Sequence, residues 1–302
     1  MRQPLMDIEL TPVDAVIPGG GGIVANSGLA LARLGSVTAA FCFVGRDDIY
    51  AEVLRRILED GHVDTNYVFS HPIQATSTTA VLIGDDGEHT FAYHGGASRE
   101  LRKETIMESL DIFAEARYAL FGYYALMPNL EDDLPEVFAA IQETGCKVAL
   151  DSAGGGGCIK PLDRILPYVD IYIPSRVEAQ AQTGLDDPRQ MIAEYRKYAP
   201  NSLLGVKLGA DGLLLSPSSD EWITVESVTA PGPVVDTTGA GDSFYAGFLT
   251  GLCRGLSVRN AARIGAAAGA CCVTQLGATA GIRSLEETCQ LANVEMPGES
   301  ND

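Results

Sequence analysis

Two spacings of hydrophobic residues alternate along this chain. Apolar side chains recur every three or four positions in Ala25–Gly35, Asp47–His62 and Asp133–Gly145, as they do on the buried face of a helix. Short apolar runs lie between these segments and predict buried strands at Val37–Gly45, Arg117–Ala125, Lys147–Gly154, Asp170–Ser175 and Leu203–Pro217. Strands that alternate with helices are typical of a parallel sheet covered on both faces, so the pattern predicts an α/β fold.

One segment follows a different pattern. Thr76–Gly95 alternates apolar and polar residues on either side of an Asp-Asp-Gly turn, which predicts a β-hairpin. We interpret this hairpin as a small β appendage inserted into the α/β body. The polar end of the chain, residues 291–302, is predicted to be a disordered tail.

Composition narrows the class of protein. The 302 residues are enough for one large α/β domain with an appendage, or for two domains. A formal net charge of −19 argues against nucleic acid and anionic membranes as partners, although a local pocket can still bind an anionic substrate. The seven cysteines form no CxxC pair, which favours reduced thiols. With no signal peptide and no apolar stretch long enough to span a bilayer, we expect a cytoplasmic protein.

The most informative stretch is DTTGAGDSFYAGFLTG, from Asp236 to Gly251. Backbone amides at a helix N-terminus bind anions, because they lack partners within the helix and the helix dipole adds positive potential. Gly239, Ala240 and Gly241 carry little bulk, so a phosphate can approach their amides closely. A carboxylate beside a phosphate is repulsive unless it has a role, and Asp242 would take the proton of an alcohol that attacks phosphorus. The structural alternative is that Asp242 caps the helix and the glycines form the turn.

This stretch, together with GGGGIVANSGLALARLG at Gly19–Gly35, resembles the paired signatures of the ribokinase-like (PfkB) carbohydrate kinase family. The resemblance runs from about Gly21 to the region of Ser284. It implies a ribokinase-like three-layer α/β sandwich, in which a mostly parallel sheet carries a small β-sheet lid. It also implies a kinase domain over residues 15–290, with lid segments at about 5–17 and 70–97. Asp242 would be its catalytic base, and the anion hole would consist of Gly239, Ala240 and Gly241.

The resemblance also implies roles for residues outside this turn. The positions that match sugar contacts are Gly21, Gly22 and Asn26, for which a capped helix start is the alternative. The positions that match nucleotide contacts are Ser175, Lys207, Gly209 and Gly212, and a surface lysine is the alternative for Lys207. Glu178 would help to order Mg²⁺ through water. The positions that match a monovalent cation site are Asp236 and Thr238. The implied cofactors are therefore ATP, Mg²⁺ and K⁺.

Three features depart from the family pattern. Ser175 stands where the family usually has Asn, and Ala266 stands where many members have Asn, which weakens the magnesium and adenine assignments. Members also begin with a β-strand whose terminal Asp binds sugar hydroxyls. That strand has no counterpart before Gly19, and both Asp7 and Asp14 lie in the lid-like stretch. Either the start has been assigned downstream of the strand or the chain is a shortened paralogue, and we favour the first.

Together these features predict an ATP-dependent kinase that phosphorylates a hydroxyl of a sugar or sugar-like alcohol. The alternatives are a nucleoside kinase of the same fold and a catalytically silent protein that binds sugar or nucleotide. No GxxxxGK[ST] motif occurs, which excludes a P-loop kinase. A homodimer formed through the lid is expected, because unpaired strand edges favour pairing.

Overall fold

The computed structural model describes residues 13, 15–83, 89–152 and 158–296. These residues form the strands β1 (Ala39–Gly45), β2 (Asp64–His71), β3 (Thr78–Ile83), β4 (His89–His94), β5 (Tyr118–Gly122), β6 (Lys147–Asp151), β7 (Ile171–Tyr172), β8 (Leu203–Lys207), β9 (Leu213–Ser218) and β10 (Glu221–Val225). They also form the helices α1 (Gly22–Arg33), α2 (Ile49–Asp60), α3 (Lys103–Met107), α4 (Leu110–Glu115), α5 (Leu134–Glu143), α6 (Leu162–Ile165), α7 (Arg176–Thr183), α8 (Pro188–Arg196), α9 (Ala240–Cys253), α10 (Val258–Cys272) and α11 (Leu285–Ala292).

The main sheet has six strands in the order β10-β9-β8-β7-β6-β5. Strands β5 to β8 are parallel to one another, whereas β9 and β10 are antiparallel additions at one edge. The carboxyl ends of the parallel strands therefore meet at a common edge, which is where open α/β sheets bind their ligands. The α/β prediction is confirmed.

Side chains of β6 show that both faces of this sheet are covered. Val148 and Leu150 pack into one core cluster with residues of α5 and α8, whereas Ala149 points to the other face and joins residues of α9 and α10. All three are fully buried. A strand that is buried on both faces reads as a continuous apolar run, which is why the sequence pattern identified it.

Strand β7 is shorter than predicted, because a side chain replaces part of its hydrogen bonding. The Tyr245 hydroxyl of α9 accepts a hydrogen bond from the Ile173 amide at 2.8 Å and donates one to the Leu150 carbonyl at 2.7 Å. It thereby links the ends of β6 and β7 to α9. The fully buried Tyr245 ring makes α9 part of the sheet's support.

Strands β1 and β2 form a separate parallel pair. The ring of Phe113 in α4 lies 5.7 Å from Phe41 of β1 and 6.4 Å from Phe121 of β5, centroid to centroid, so both strands share one apolar neighbour. No strand precedes α1 among the described residues, and within them neither β1 nor β5 has a partner at its other edge. The described part of the chain thus contains no counterpart of the family's first strand.

The predicted hairpin is formed by β3 and β4, which pair antiparallel from Thr78 opposite His94 to Ile83 opposite His89. Its root is held by Asp48, the N-cap of α2, whose carboxylate accepts hydrogen bonds from the Thr76 amide at 2.6 Å and the Thr76 hydroxyl at 2.8 Å. Residues 84–88 of the hairpin turn lie outside the described residues. The same holds for most of the lid segment predicted at 5–17, whose described part carries no strand.

Helices α9 and α10 pack with their backbones unusually close together. A Cβ atom on Gly247 would lie 2.8 Å from the Ile264 carbonyl oxygen, and one on Gly251 would lie 2.7 Å from the Ala261 Cα. The glycines that punctuate α9 are therefore required by this contact. None of the described helices is long and apolar enough to cross a membrane. Helix α11 continues to Ala292 and Val294 is buried, while residues 297–302 of the predicted tail lie outside the described residues.

Candidate active site

The turn before α9 has the geometry of an anion site. Gly239 is the N-cap of α9 with a left-handed backbone (φ 77°), and a Cβ there would lie 2.5 Å from the Cβ of Ala278. The Ser243 amide makes a 2.8 Å bond to the Gly239 carbonyl and so begins the i→i−4 ladder of the helix. The amides of Gly241 and Asp242 precede that ladder, so they remain available to an anion.

Asp242 is buried in the first turn of α9 and bound by two side chains. Asn26 of α1 donates from Nδ2 to its Oδ2 at 2.8 Å, and the Tyr123 hydroxyl lies 3.1 Å from Oδ1 and 3.2 Å from Oδ2. The Ser27 hydroxyl also donates to the Asp242 main-chain carbonyl, at 3.1 Å. The two motifs of the sequence, 216 positions apart in this contact, therefore meet at one carboxylate.

Burial raises the pKa of Asp242 above its ordinary value. Hydrogen bonds from Asn26 and Tyr123 and the nearby charge of Lys207 act in the opposite direction, and Glu178 adds to the rise. A carboxylate with a raised pKa is a stronger base than an exposed aspartate, provided that it remains ionised at the working pH.

Lys207 places a positive charge beside the anion site. It ends β8, and its Nζ lies 3.1 Å from Oδ1 of Asp151, at the end of β6. A Cβ on Gly241 would lie 3.1 Å from the same Nζ, so the ammonium group is next to the first turn of α9. Lys207 is only 14% exposed and also sits 4.9 Å from the centroid of the Tyr245 ring. The alternative that Lys207 is a surface lysine is therefore wrong.

The Asp151 side chain is buried, so its ionised form is disfavoured. Burial raises its pKa to about 7, which the Lys207 ammonium partly counteracts and which Asp242 and Glu178 increase. Asp151, Asp242 and Glu178 are thus close enough to influence one another's charge, with Lys207 in contact with Asp151, so an additional cation would be electrostatically favoured at this edge of the sheet.

Ser175 and Glu178 form the start of α7. The Ser175 amide and hydroxyl both donate to Oε2 of Glu178 at 2.7 Å, and the Glu178 amide donates back to the Ser175 hydroxyl at 3.3 Å, which is a capping box. A parallel bridge joins Ser175 to Lys207, so this helix start belongs to the same edge. Across the described part of the chain, no group of three or more His, Cys, Asp or Glu side chains could hold a metal ion by itself.

Gly209 and Gly212 form the tight turn between β8 and β9. Both have positive φ values, 63° and 84°, and a Cβ on Gly212 would lie 2.1 Å from the Val225 carbonyl oxygen. Arg176 of α7 lies 3.8 Å from Asp211 within this turn, so the turn stands beside the start of α7. All four residues predicted for the nucleotide are thereby brought to neighbouring loops of one sheet edge.

Asp236 and Thr238 lie in the loop that leads into the anion site. The two carboxylate oxygens of Asp236 accept hydrogen bonds from the Thr238 amide at 2.8 Å and the Gly277 amide at 2.9 Å, which ties the loop to the segment after α10. The Thr238 hydroxyl is buried with no hydrogen-bond partner among the described residues. An oxygen in this state fits a ligand role toward a cation.

Gly21 and Gly22 stand at the open end of α1, one turn before Asn26. Cβ atoms on either residue would meet no other atom within 4 Å, and Gly22 has a φ of 70°. A separate cavity of about 230 Å³ lies at the hairpin root, lined by residues that include His94, Arg99 and Asn129. None of the residues predicted to be catalytic, to bind substrate or nucleotide, or to hold a metal lines that cavity.

Two residues that contact Asp242 or Lys207 were not predicted to do so: Asp151 was not considered, and the aromatic Tyr123 was considered only as a packing residue or a neighbour of the substrate ring. Asp151 ends β6, and Tyr123 directly follows β5, where the sequence pattern predicted continued strand. A polar side chain at the carboxyl end of a buried parallel strand is the signal that identifies such positions. Asp151 follows the apolar run of β6 in this way.

Known proteins match nearly the whole chain. The family model described as "pfkB family carbohydrate kinase" matches residues 10–285. Ribokinase from Haemophilus influenzae is 28% identical over 277 residues, which cover 89% of this chain and 86% of that protein.

Solved structures give the same answer for the fold. Arabidopsis thaliana ribokinase, solved in complex with ribose and ATP, superposes with a TM-score of 0.80 at 27% identity and covers 91% of this chain and 88% of that one. Adenosine kinase from Sinorhizobium meliloti has a TM-score of 0.78 at 26% identity, with 90% and 83% covered. The predicted ribokinase-like fold is confirmed, and the chain belongs to the pfkB family of carbohydrate kinases.

Proposed function

We propose that this protein transfers the γ-phosphoryl group of ATP to a hydroxyl of a sugar or sugar-like alcohol. The observation that carries the proposal is the position of Asp242. Its carboxylate is buried in the first turn of α9, beside the free amides of that helix and beside Lys207. A base and an anion site in direct contact are what the attack of an alcohol on a phosphoryl group requires.

In the proposed reaction, Asp242 accepts the proton of the acceptor hydroxyl while the oxygen of that hydroxyl forms a bond to the γ-phosphorus of ATP. The bond from that phosphorus to the β,γ-bridging oxygen breaks, and ADP leaves with the electron pair. The predicted anion hole of Gly239, Ala240 and Gly241, together with the Lys207 ammonium, would stabilise the charge on the transferred group. In the structure the Ala240 amide donates to the Thr237 carbonyl at 3.3 Å, so it would have to give up that bond to contribute. Gly21, Gly22 and Asn26 would bind the acceptor, and Ser175, Gly209 and Gly212 would border the nucleotide.

Mg²⁺ would neutralise charge on the ATP phosphates. Those phosphates and water would be its main ligands. Glu178 is the residue proposed to order its water shell, and the excess of carboxylates at this edge supports a divalent cation there. We also propose that Asp236 and Thr238 hold K⁺, which the unpartnered Thr238 hydroxyl supports.

A nucleoside is the second candidate acceptor, because the Sinorhizobium meliloti adenosine kinase shares the fold at 26% identity. A homodimer formed through the hairpin is a further proposal, supported by the exposed side chains of Val81, Leu82, Ile83 and Tyr93. We place the protein in the cytoplasm, because its seven thiols are free and the reaction consumes ATP.

The test is ADP formation from Mg²⁺–ATP across a panel of pentoses, hexoses, sugar acids and nucleosides. The expected result is an acceptor-dependent rate that Asp242→Asn lowers about 10²- to 10⁴-fold, the usual contribution of a general base. Asp220→Asn is the matched control, since Asp220 is exposed between β9 and β10, and should leave the rate unchanged. Acceptor-dependent ADP formation that survives Asp242→Asn would refute the proposed role of this carboxylate.

A further inference from the structure

Tyr123 has a backbone conformation that an aromatic residue rarely adopts. It lies in the left-handed region (φ 64°, ψ 37°) immediately after β5. Its amide donates to the Asp151 carbonyl at 3.3 Å, so the strained residue is tied to the neighbouring strand. Strain of this kind persists where the surrounding structure enforces it, and here it directs the hydroxyl into the candidate site.

The two hydrogen bonds from the Tyr123 hydroxyl are unlike the one from Asn26. The hydroxyl oxygen is nearly equidistant from the two Asp242 oxygens, at 3.1 and 3.2 Å, so one proton is shared between them. Both distances exceed the usual 2.7–2.8 Å for O–H···O contacts. The Asn26 bond is 2.8 Å long and comes from a side chain that is 5% exposed. Asn26 therefore makes the shorter and more buried of the two contacts with Asp242, and Tyr123 makes the longer one.

The position of the Tyr123 hydroxyl is also the position that an acceptor needs. A hydroxyl that transfers its proton to Asp242 must lie within hydrogen-bond distance of the carboxylate, on the side not taken by Asn26. In the structure an O–H group already stands there. Tyr123 itself is only half-buried, so its side chain keeps contact with solvent although the next residue, Tyr124, is buried.

We propose that the Tyr123 hydroxyl occupies the place of the acceptor hydroxyl on Asp242 until the acceptor displaces it. This inference rests on the proposed function, because it takes Asp242 as the base. Tyr123 then acts as a positioning residue: it satisfies the buried carboxylate and keeps water from it while the acceptor is absent. Acceptors that bind must compete with an internal hydroxyl.

The test compares pH profiles of wild type, Tyr123→Phe and the matched control Tyr124→Phe, with the acceptor that gives the highest rate in the panel. Tyr124 is the adjacent buried tyrosine, and its hydroxyl makes no hydrogen bond to Asp242. The groups that share the electrostatic environment of Asp242 are Asp151, Glu178 and Lys207, and all three are unchanged in these variants.

The profile of kcat/KM reports the base in the free enzyme, and that of kcat reports it in the complex. A hydroxyl that donates a hydrogen bond to a carboxylate lowers the pKa of that carboxylate. Removal of the Tyr123 hydroxyl should therefore raise the pKa of Asp242. Tyr123→Phe should therefore move the acid limb of kcat/KM upward by about half to one pH unit and leave the acid limb of kcat in place. KM for the acceptor should fall about two- to tenfold with kcat unchanged, because no hydrogen bond has to be broken.

Equal shifts of both limbs, or a lower kcat with KM unchanged, would mean that Tyr123 stays on Asp242 during the reaction and would overturn the proposal. An unshifted kcat/KM limb would overturn it as well, as would Tyr124→Phe behaving like Tyr123→Phe. These outcomes differ from failure of the proposed function, in which wild type shows no acceptor-dependent ADP formation at all.

Discussion

Gly239 shows how much of the site depends on a single missing side chain. Its left-handed backbone turns the chain into α9, and the space where a Cβ would lie is filled by Ala278. The left-handed turn and the close approach of Ala278 together leave no room for a side chain at the start of α9. The effects of the left-handed backbone and of the contact at the Cβ position can be separated experimentally, because Gly184 has a left-handed backbone without such a contact.

We expect Gly239→Ala to lower the free energy of unfolding by about 2–4 kcal/mol, from the left-handed backbone and the overlap with Ala278 together. Gly184→Ala is the matched control. Gly184 has a φ of 69° at the end of α7, but a Cβ there would meet nothing within 4 Å, so its cost should be about 1 kcal/mol. Urea unfolding of both variants measures the difference. Equal losses would show that the contact with Ala278 contributes nothing.

The residues of the site differ in how far the sequence could predict them. Gly239 and Asp242 lie in one short motif, and local chemistry was enough to assign a role to each. The bond between Asn26 and Asp242 joins residues 216 positions apart, and no local pattern specifies it. Tyr123 and Asp151 become visible only when the strand order is known, because β5 and β6 are neighbours in space and their carboxyl ends meet beneath α9.

At the level of elements, periodicity predicted buried strands and amphipathic helices well and strand ends poorly. Strand β6 is an apolar run with both faces covered, which the sequence shows directly. Strand β7 was predicted over six residues and has two, because the Tyr245 hydroxyl takes the Ile173 amide that would otherwise pair with a strand. Side chains that replace backbone hydrogen bonds are set by tertiary packing, so the local sequence does not reveal them.

The hairpin is an element whose attachment is specified by one carboxylate. Asp48 accepts a hydrogen bond from the Ala51 amide of α2 and two from Thr76, so a single side chain joins a helix start to the hairpin root. These hydrogen bonds hold the pKa of Asp48 below its usual value although burial opposes them.

We expect Asp48→Ala to increase amide hydrogen exchange several-fold in Thr78–Ile83 and His89–His94, because the hairpin root loses its anchor. Exchange in β6 and β8 should be unchanged. Asp187→Ala is the control, since Asp187 is also a helix N-cap and its carboxylate accepts hydrogen bonds from the Arg189 and Gln190 amides at the start of α8. Either substitution removes a cap worth about 1 kcal/mol. If Asp187→Ala loosened the hairpin to the same extent, the effect would be a general loss of stability.

For the whole molecule, charge and exposed apolar surface act in opposite directions. A net charge of −19 keeps copies apart at long range, but repulsion between exposed charges is screened within about 8 Å at physiological ionic strength. The exposed apolar residues of β3 and β4 are the surface proposed to join two copies.

We expect the protein to sediment as a dimer at 150 mM salt and Leu82→Glu to shift it to monomer, because a buried unpaired charge is costly in an apolar interface. Val37→Glu is the control: Val37 is fully exposed before β1, far in sequence from the hairpin, and its replacement should leave the dimer intact. Sedimentation velocity over a concentration series distinguishes the two states. A wild-type monomer at all concentrations would refute the proposed assembly.

The Tyr245 bridge has a consequence for where motion can occur. Its hydroxyl is bonded to two neighbouring strands at 2.7 and 2.8 Å, and its ring is buried, so a displacement of α9 along its axis would break both bonds and disturb the centre of the sheet. The half of the site formed by α9 and the ends of β6 and β7, where the phosphate groups are proposed to bind, is thus held rigidly. A closing movement of the proposed kinase would then come from an element that this bridge does not hold, such as the hairpin of β3 and β4, whose root is attached through Asp48.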